Sequence, residues 1–388
     1  MKVDDIKKIA VIGSGAMGHG IAQVSTVAGY EVVMVDVKQE FLDNGVAKIK
    51  ESLDFLVGKG KISADDKDSI LNNMLTTSLD TKAAVADVQL VIEAVPEVMD
   101  LKKKVFSDVS AGAPADAILA SNTSTMSITE ISSAASNPER FVGMHFFNPV
   151  NRMKLVEVIY GQKTSDETAD TLFEVSKKIN KVPIKVLKDS PGFIVNRIGA
   201  PNQALISAIL DEGKIKPDEV DTVMKEMGMP MGPFELADYV GIDVFYHTLK
   251  YYSETLSKDF APGKTLQGLL DSGDLGMKTG KGIYTWEGGK AQIDTSKKSD
   301  EITPMEFLAI QINEAVRVYK EGIAESVEDI DQGMVHGMRA FAGPFALTAG
   351  IEPQQLTDAL TKLKDRYGLE IFTPEPEIVD GSFKNMGK

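Results

Sequence analysis

The chain has 388 residues, 43% of them hydrophobic and 26% charged, and carries a formal net charge of −15; that length exceeds one ordinary core and predicts two or three domains. An acidic surface lacks the excess of Lys and Arg that nucleic acids and anionic membranes demand, so a general role on either is excluded and an anionic ligand has to find local basic residues. With no cysteine there is no disulfide, no thiolate catalysis and no Cys-ligated metal, and no metal site is expected.

The N-terminus, M-K-V-D-D-I-K-K-I-A-V-I-G, enters a strand at once without a signal-peptide pattern. No apolar run approaches the roughly 20 residues of a membrane span, so a cytoplasmic location is expected. Residues 9–18, I-A-V-I-G-S-G-A-M-G, run an apolar strand into G-x-G-x-x-G. In such a loop Gly13 permits the tight turn, Gly15 lets the backbone approach a pyrophosphate, and Gly18 allows close helix–strand packing. The whole loop, Gly13, Ser14, Gly15, Ala16, Met17 and Gly18, is then a dinucleotide cradle. The helix that follows offers its free N–H groups to phosphate. A second strand, E-V-V-M-V-D, ends in Asp36, where this fold places the acid that grips the adenosine ribose hydroxyls. Asp36 favours NAD over NADP, because a carboxylate repels the extra phosphate; Lys38 nearby works in the opposite direction.

Residues 37–82 read as helical, a long excursion between strands with a Gly-Lys-Gly turn and a new helix start near Ser63. Lys50, Lys59 and Lys61 in this excursion are candidates for binding phosphate, although each also fits a solvated surface lysine. The run A-D-V-Q-L-V-I-E-A-V-P-E returns to the sheet and brings Glu93 and Glu97 to a strand C-terminus, the ligand edge of an open α/β sheet. Lys102 follows Glu97 by five residues, the spacing of a surface pair. A strand at 118–120 leads into the hydroxyl-rich turn Ser121-Asn122-Thr123-Ser124, which serves equally as a helix cap or as a donor to a substrate oxygen.

Residues 140–157, R-F-V-G-M-H-F-F-N-P-V-N-R-M-K-L-V-E, predict strand, short loop and strand. If the strands fold back about Asn151, His145 and Glu157 fall opposite each other, since paired positions in an antiparallel ladder keep a constant index sum. An acid on one ring nitrogen fixes the tautomer and leaves the other nitrogen free to move a proton near neutral pH, which makes His145 the candidate acid/base. A helix near 167–179 and the strand P-I-K-V-L follow.

At K-D-S-P-G-F-I-V-N-R, residues 188–197, the pattern changes from alternating strands and helices to helices alone, and a domain boundary is placed there. Asn196 lies about one turn into the first of these helices. The helical part repeats itself: L-D-E-G, E-V-D and M-G-P-F at 210–213, 219–221 and 231–234 return as Y-K-E-G, D-I-D and A-G-P-F at 319–322, 329–331 and 342–345. The offsets of 109, 110 and 111 residues describe a duplicated helical domain. Its second copy lacks an Asn-Arg pair, which suggests packing and not chemistry for it. The expected division is 1–188, 189–294 and 300–388.

Taken together, the glycine loop, Glu97 with Lys102, S-N-T-S, H-F-F-N-P with a glutamate twelve residues on, and P-G-F-I-V-N-R resemble the L-3-hydroxyacyl-CoA dehydrogenases over about residues 5–290. The tandem C-terminal part resembles the multifunctional fatty-acid oxidation proteins without their hydratase domain, as in a stand-alone dehydrogenase. The resemblance implies a Rossmann-type NAD-binding domain with a mostly parallel sheet, followed by two all-α C-terminal domains. It further implies oxidation of (S)-3-hydroxyacyl-CoA to 3-ketoacyl-CoA and the reverse, with short chains such as 3-hydroxybutyryl-CoA and acetoacetyl-CoA preferred. By the same resemblance His145 is the acid/base, Glu157 orients it, and Ser124 and Asn196 bind the C3 oxygen region. Glu97 and Lys102 approach the nicotinamide ribose, and Asn148 touches the CoA arm. Two other readings stand beside it: a dehydrogenase of a free hydroxy acid such as L-gulonate, and a nucleotide-binding relative without turnover. Both a monomer, its two helical copies forming an internal pseudo-dimer, and a homodimer are compatible with the duplication.

Overall fold

Near-continuous apolar runs, the mark of strands covered on both faces, form Lys8–Ile12 (β1), Glu31–Val35 (β2) and Leu90–Glu93 (β4), with Leu75–Ser78 (β3) at the edge. In the computed structural model, which describes residues 1–387, they are joined by Ile118–Ser121 (β5), Phe141–Phe146 (β6), Leu155–Ile159 (β7) and Val182–Val186 (β8). The eight strands make one sheet of order β3-β2-β1-β4-β5-β6-β7-β8. Every neighbouring pair is parallel except β6 and β7, whose antiparallel register sets His145 opposite Glu157. The strand order reverses beside β1, so the C-terminal ends of β1 and β4 flank the crevice in which such sheets take their ligands.

The excursion between β2 and β4 is helical through Gln39–Gly58 and Ala64–Ser69, but it also contains β3, paired in parallel with β2. Four residues, L-T-T-S, on an edge with one face open show too little alternation to announce a strand, and the pairing with β2 decides it.

By contacts the chain forms two compact units, 1–195 with 322–343, and 196–321 with 344–388. The first has its core on the two faces of the sheet, where Ile9, Val11, Ile92 and Val142 are closed off from solvent. The second is helical, and its core mixes residues from both sequence copies, Leu205, Ile209 and Phe234 with Ile310, Leu356 and Leu360. Ion pairs run through it: buried Arg197 Nε lies 2.6 Å from Glu314 Oε1, and half-buried Arg317 links Glu314, at 3.0 Å, to Glu375, at 2.6 Å.

The two copies share one local device. A Cβ on Gly232 would collide with Asp221, and a Cβ on Gly343 would collide with Asp331, so each D…G-P-F pair is held together by a glycine that lets the acid lie against the backbone. In the first copy Asp221 accepts from the N–H groups of Phe234 and Glu235, at 3.0 and 2.7 Å, capping the helix Pro233–Val240, and from Tyr284 Oη at 2.9 Å. Burial pushes the Asp221 carboxyl up to about 6, and these three donors oppose the rise. The folded chain therefore holds this proton more tightly than the unfolded chain, whose value is near 3.8, and the resulting stability is present at low pH and lost as pH rises through about 6. Urea unfolding of the wild type should fall relative to Asp221→Asn between those two pH values; a flat difference would show that the carboxyl is not perturbed.

Candidate active site

His145 is the penultimate residue of β6 and is 3% exposed; its Nδ1 stands 2.7 Å from Glu157 Oε2 on β7. Glu157 is completely buried, and its other oxygen accepts from the backbone N–H groups of Ile194 and Val195, at 3.1 and 3.0 Å. The P-G-F turn makes this possible: Gly192 and Phe193 both have left-handed backbone, φ 80° and 57°, which swings the two following N–H groups onto the carboxylate. A phenylalanine in that region costs about 1–3 kcal/mol and persists only where the surroundings impose it. Here they do, because the Phe193 ring packs 5.8 Å from the imidazole centroid and Phe147 covers it at 4.5 Å. A carboxylate at this distance favours the tautomer with the proton on Nδ1, which leaves Nε2 as the candidate proton-moving nitrogen.

A second network occupies the C-terminal ends of β4 and β5. Glu93, fully buried, accepts from Lys102 Nζ at 2.8 Å, Val95 N at 2.7 Å and Ser121 Oγ at 2.6 Å. Lys102 also reaches Glu97 Oε2 at 3.2 Å, and Glu97 Oε1 accepts from Thr123 Oγ1 at 3.0 Å and Ser124 N at 2.6 Å. Lys102 is thus not the surface partner its spacing suggested; it is 1% exposed and bridges two acids. Glu93 was placed at the ligand edge in sequence but given no partner, although the signal was there: a carboxylate ending an all-apolar strand must find a cation or several donors. Asn122 was also missed; its Oδ1 accepts from Phe146 N at 2.8 Å and ties the S-N-T-S turn to the strand carrying His145.

The glycine loop has the geometry a dinucleotide requires. Gly13 has φ 99° and a Cβ there would lie 2.7 Å from Ala94 O, while a Cβ on Gly18 would fall on the Gly13 carbonyl. Gly15 faces open space, with nothing within 4 Å of its Cβ position, so the pyrophosphate cradle is clear. Exposed Ala16 and half-buried Met17 complete the turn into the helix Gly18–Val27. Asp36, half-buried at the end of β2, accepts from Ser14 N and Oγ at 2.8 and 2.7 Å, which brings the acid expected at the ribose to the loop. Gly18→Ala should weaken NADH binding by about tenfold or more, since the obstacle is backbone and positioning is lost with it; a fluorescence titration that matches the wild type would contradict this.

Of the candidate CoA contacts, Asn148, Lys50 and Lys59 are exposed, and Lys59 lies over the Phe55 ring. Lys61 lines a concavity of about 720 Å³ together with Lys48, Arg152, Lys154 and Lys181, where Glu51 is the sole acid among the lining residues. Burial, and then the charge of Lys154, brings Lys181 down to about 8. Ser52 in the same wall accepts from Gln23 Nε2 and Asn151 Nδ2, at 2.8 and 2.9 Å, while Gln23 Oε1 is buried without a partner. Asn196 belongs to the other compact unit, in the first turn of the helix Val195–Glu212.

Comparison with known proteins agrees with this geometry. Residues 8–190 match the family model of the 3-hydroxyacyl-CoA dehydrogenase NAD binding domain, and 192–286 that of the C-terminal domain. A Deinococcus radiodurans protein named "Probable 3-hydroxybutyryl-CoA dehydrogenase" is 41% identical over 72% of this chain and all of its own length. The fatty acid oxidation complex subunit alpha of Idiomarina loihiensis is 37% identical over 99% of this chain and 55% of its own; the chain spans about half the length of these alpha subunits. The crystal structure of 3-hydroxybutyryl-CoA dehydrogenase from Escherichia coli K12 superposes with a TM-score of 0.87 at 28% identity, covering 97% of this chain and 98% of that one. Among the described residues no helix is long and apolar enough to cross a membrane. The chain belongs to the NAD-binding 3-hydroxyacyl-CoA dehydrogenases.

Proposed function

We propose that this chain oxidises (S)-3-hydroxyacyl-CoA to 3-ketoacyl-CoA and runs the reverse reduction, with 3-hydroxybutyryl-CoA and acetoacetyl-CoA as preferred substrates. The observation that carries the reading is the buried His145–Glu157 pair at the ligand edge of a sheet whose glycine loop fits a dinucleotide. Bound NAD supplies the hydride acceptor. His145 Nε2 takes the C3 hydroxyl proton, and the imidazolium so formed is stabilised by Glu157, itself fixed by two backbone N–H groups. Ser124, whose backbone is held by Glu97, donates to the C3 oxygen as it becomes a carbonyl, and Asn196 binds the same region. Glu97 and Lys102 support the nicotinamide ribose, and Asn148 supports the CoA arm.

The basic concavity suits the CoA phosphates, with Lys61 in its wall, while Lys50 and Lys59 are exposed and not among its lining residues. Remote binding of this kind fixes the orientation of C3. Functionally the chain divides into an NAD domain, 1–188, a helical closure domain, 189–294, and a second structural copy, 300–388. The shared core of the two copies and their repeated Asp–Gly contact support an internal pseudo-dimer within a monomer, with a homodimer as the alternative that light scattering separates. Acetoacetyl-CoA and NADH should give loss of absorbance at 340 nm, strongest for C4 in a panel of acyl lengths. A flat trace at high enzyme concentration, with NADH bound, would remove this reading.

A further inference from the structure

The helix Val327–Met338 comes from the second helical copy, yet it lies in the same compact unit as the sheet and packs on β7 and β8. Its buried Gly333 and Gly337 are four residues apart and so share one face. Glycine is a poor helix former, and neither residue has positive φ, so backbone freedom does not account for them. Close approach does. A Cβ on Gly337 would stand 2.7 Å from Leu155 Cδ2 and 3.1 Å from Phe147 Cε1; a Cβ on Gly333 would stand 3.0 Å from Ile184 Cδ1 and from Val195 Cγ2.

Two of these neighbours bear directly on the proton-moving pair. Phe147 covers the His145 imidazole, and Val195 donates its N–H to Glu157. The helix is anchored on both sides. Ahead of it, Leu187 N donates to Ile323 O at 2.7 Å and Val186 bridges Ala324; beyond it, Arg339 Nε meets Met153 Sδ at 3.3 Å. We infer that Gly333 and Gly337 are positioning residues for the reaction, letting a helix of the second copy press on the residues that hold the imidazole and its carboxylate. The second copy then shapes the chemistry without touching substrate. This rests on the His145–Glu157 reading above.

The test uses the full chain with acetoacetyl-CoA and NADH. Alanine is the better helix former, so on a helix with room to spare Gly337→Ala would be harmless or stabilising. Here Gly337→Ala or Gly337→Leu should lower kcat by roughly tenfold or more, since small displacements of reacting groups are expensive, while the NADH Kd stays within about twofold because the glycine loop is untouched. The acid limb of the kcat–pH profile should move by about half a unit as the ring over the imidazole shifts. Leu155→Val, which removes Cδ2, should restore most of the rate in the Gly337→Ala background. Phe147→Leu, which leaves the helix alone, should move the same pH limb. Unchanged kcat and pH profile in folded Gly337 variants, a change confined to thermal stability, or an unmoved profile in Phe147→Leu would each overturn the inference. Full activity in His145→Gln would instead sink the dyad reading, so the two failures are separable.

Discussion

His145→Gln should leave NADH affinity unchanged and lower kcat by about 10²- to 10⁴-fold, the usual contribution of a positioned acid/base. The amide keeps a polar group against Glu157 but cannot accept and return a proton, so binding survives and turnover does not. Stopped-flow reduction of acetoacetyl-CoA, with NADH binding measured in parallel, checks both halves. Glu157→Gln should follow in the same direction, because the neutral amide no longer supports the imidazolium held 2.7 Å away. Full speed in either variant would place the proton transfer elsewhere.

Glu93→Leu should cost up to about 3–5 kcal/mol of stability, because it takes the nearer of two acids from a buried ammonium. Lys102 is 1% exposed and its remaining acid, Glu97, is 40% exposed at the side chain and lies farther off, at 3.2 against 2.8 Å. Val95 N and Ser121 Oγ would also lose their acceptor. Adding Lys102→Met should recover a large part of the loss, since an apolar pair avoids the desolvation that the ion pair must overcome. Urea unfolding of the two single variants and the double closes the cycle. Additive losses would mean that the two residues do not form one unit.

The parts of the site that could be seen in the chain are those built from neighbours in sequence or from a simple pairing rule. The glycine loop and Asp36 belong to one strand–turn–helix–strand unit, so their order and spacing make them candidates from sequence. His145 and Glu157 are twelve residues apart, yet a single short loop joins their strands, and the index sum of an antiparallel ladder then leaves one partner for the imidazole. By contrast, Glu93 and Lys102 looked like a strand end and a surface helix, because nothing local says that the helix Met99–Ser110 turns Lys102 under the sheet edge. The edge strand β3 hid in a helical stretch for a related reason: four residues with one open face carry too weak a period to outweigh their surroundings.

What the amino-acid order determined by itself was the kind of fold, the dinucleotide loop, the imidazole–carboxylate pairing and the repeated motifs of the helical half, all of them consequences of short-range pattern. What only the tertiary structure decided was which side chains are closed off from water and which distant segments meet: the lysine between two acids, the basic concavity, and residues 322–343 lying with the sheet and not with the rest of their repeat. The reason is physical. Periodicity records which face of an element is apolar, but the partner that covers that face is chosen by packing among elements far apart in the chain, and a pair of glycines in a helix means nothing until the side chains pressed against them are known.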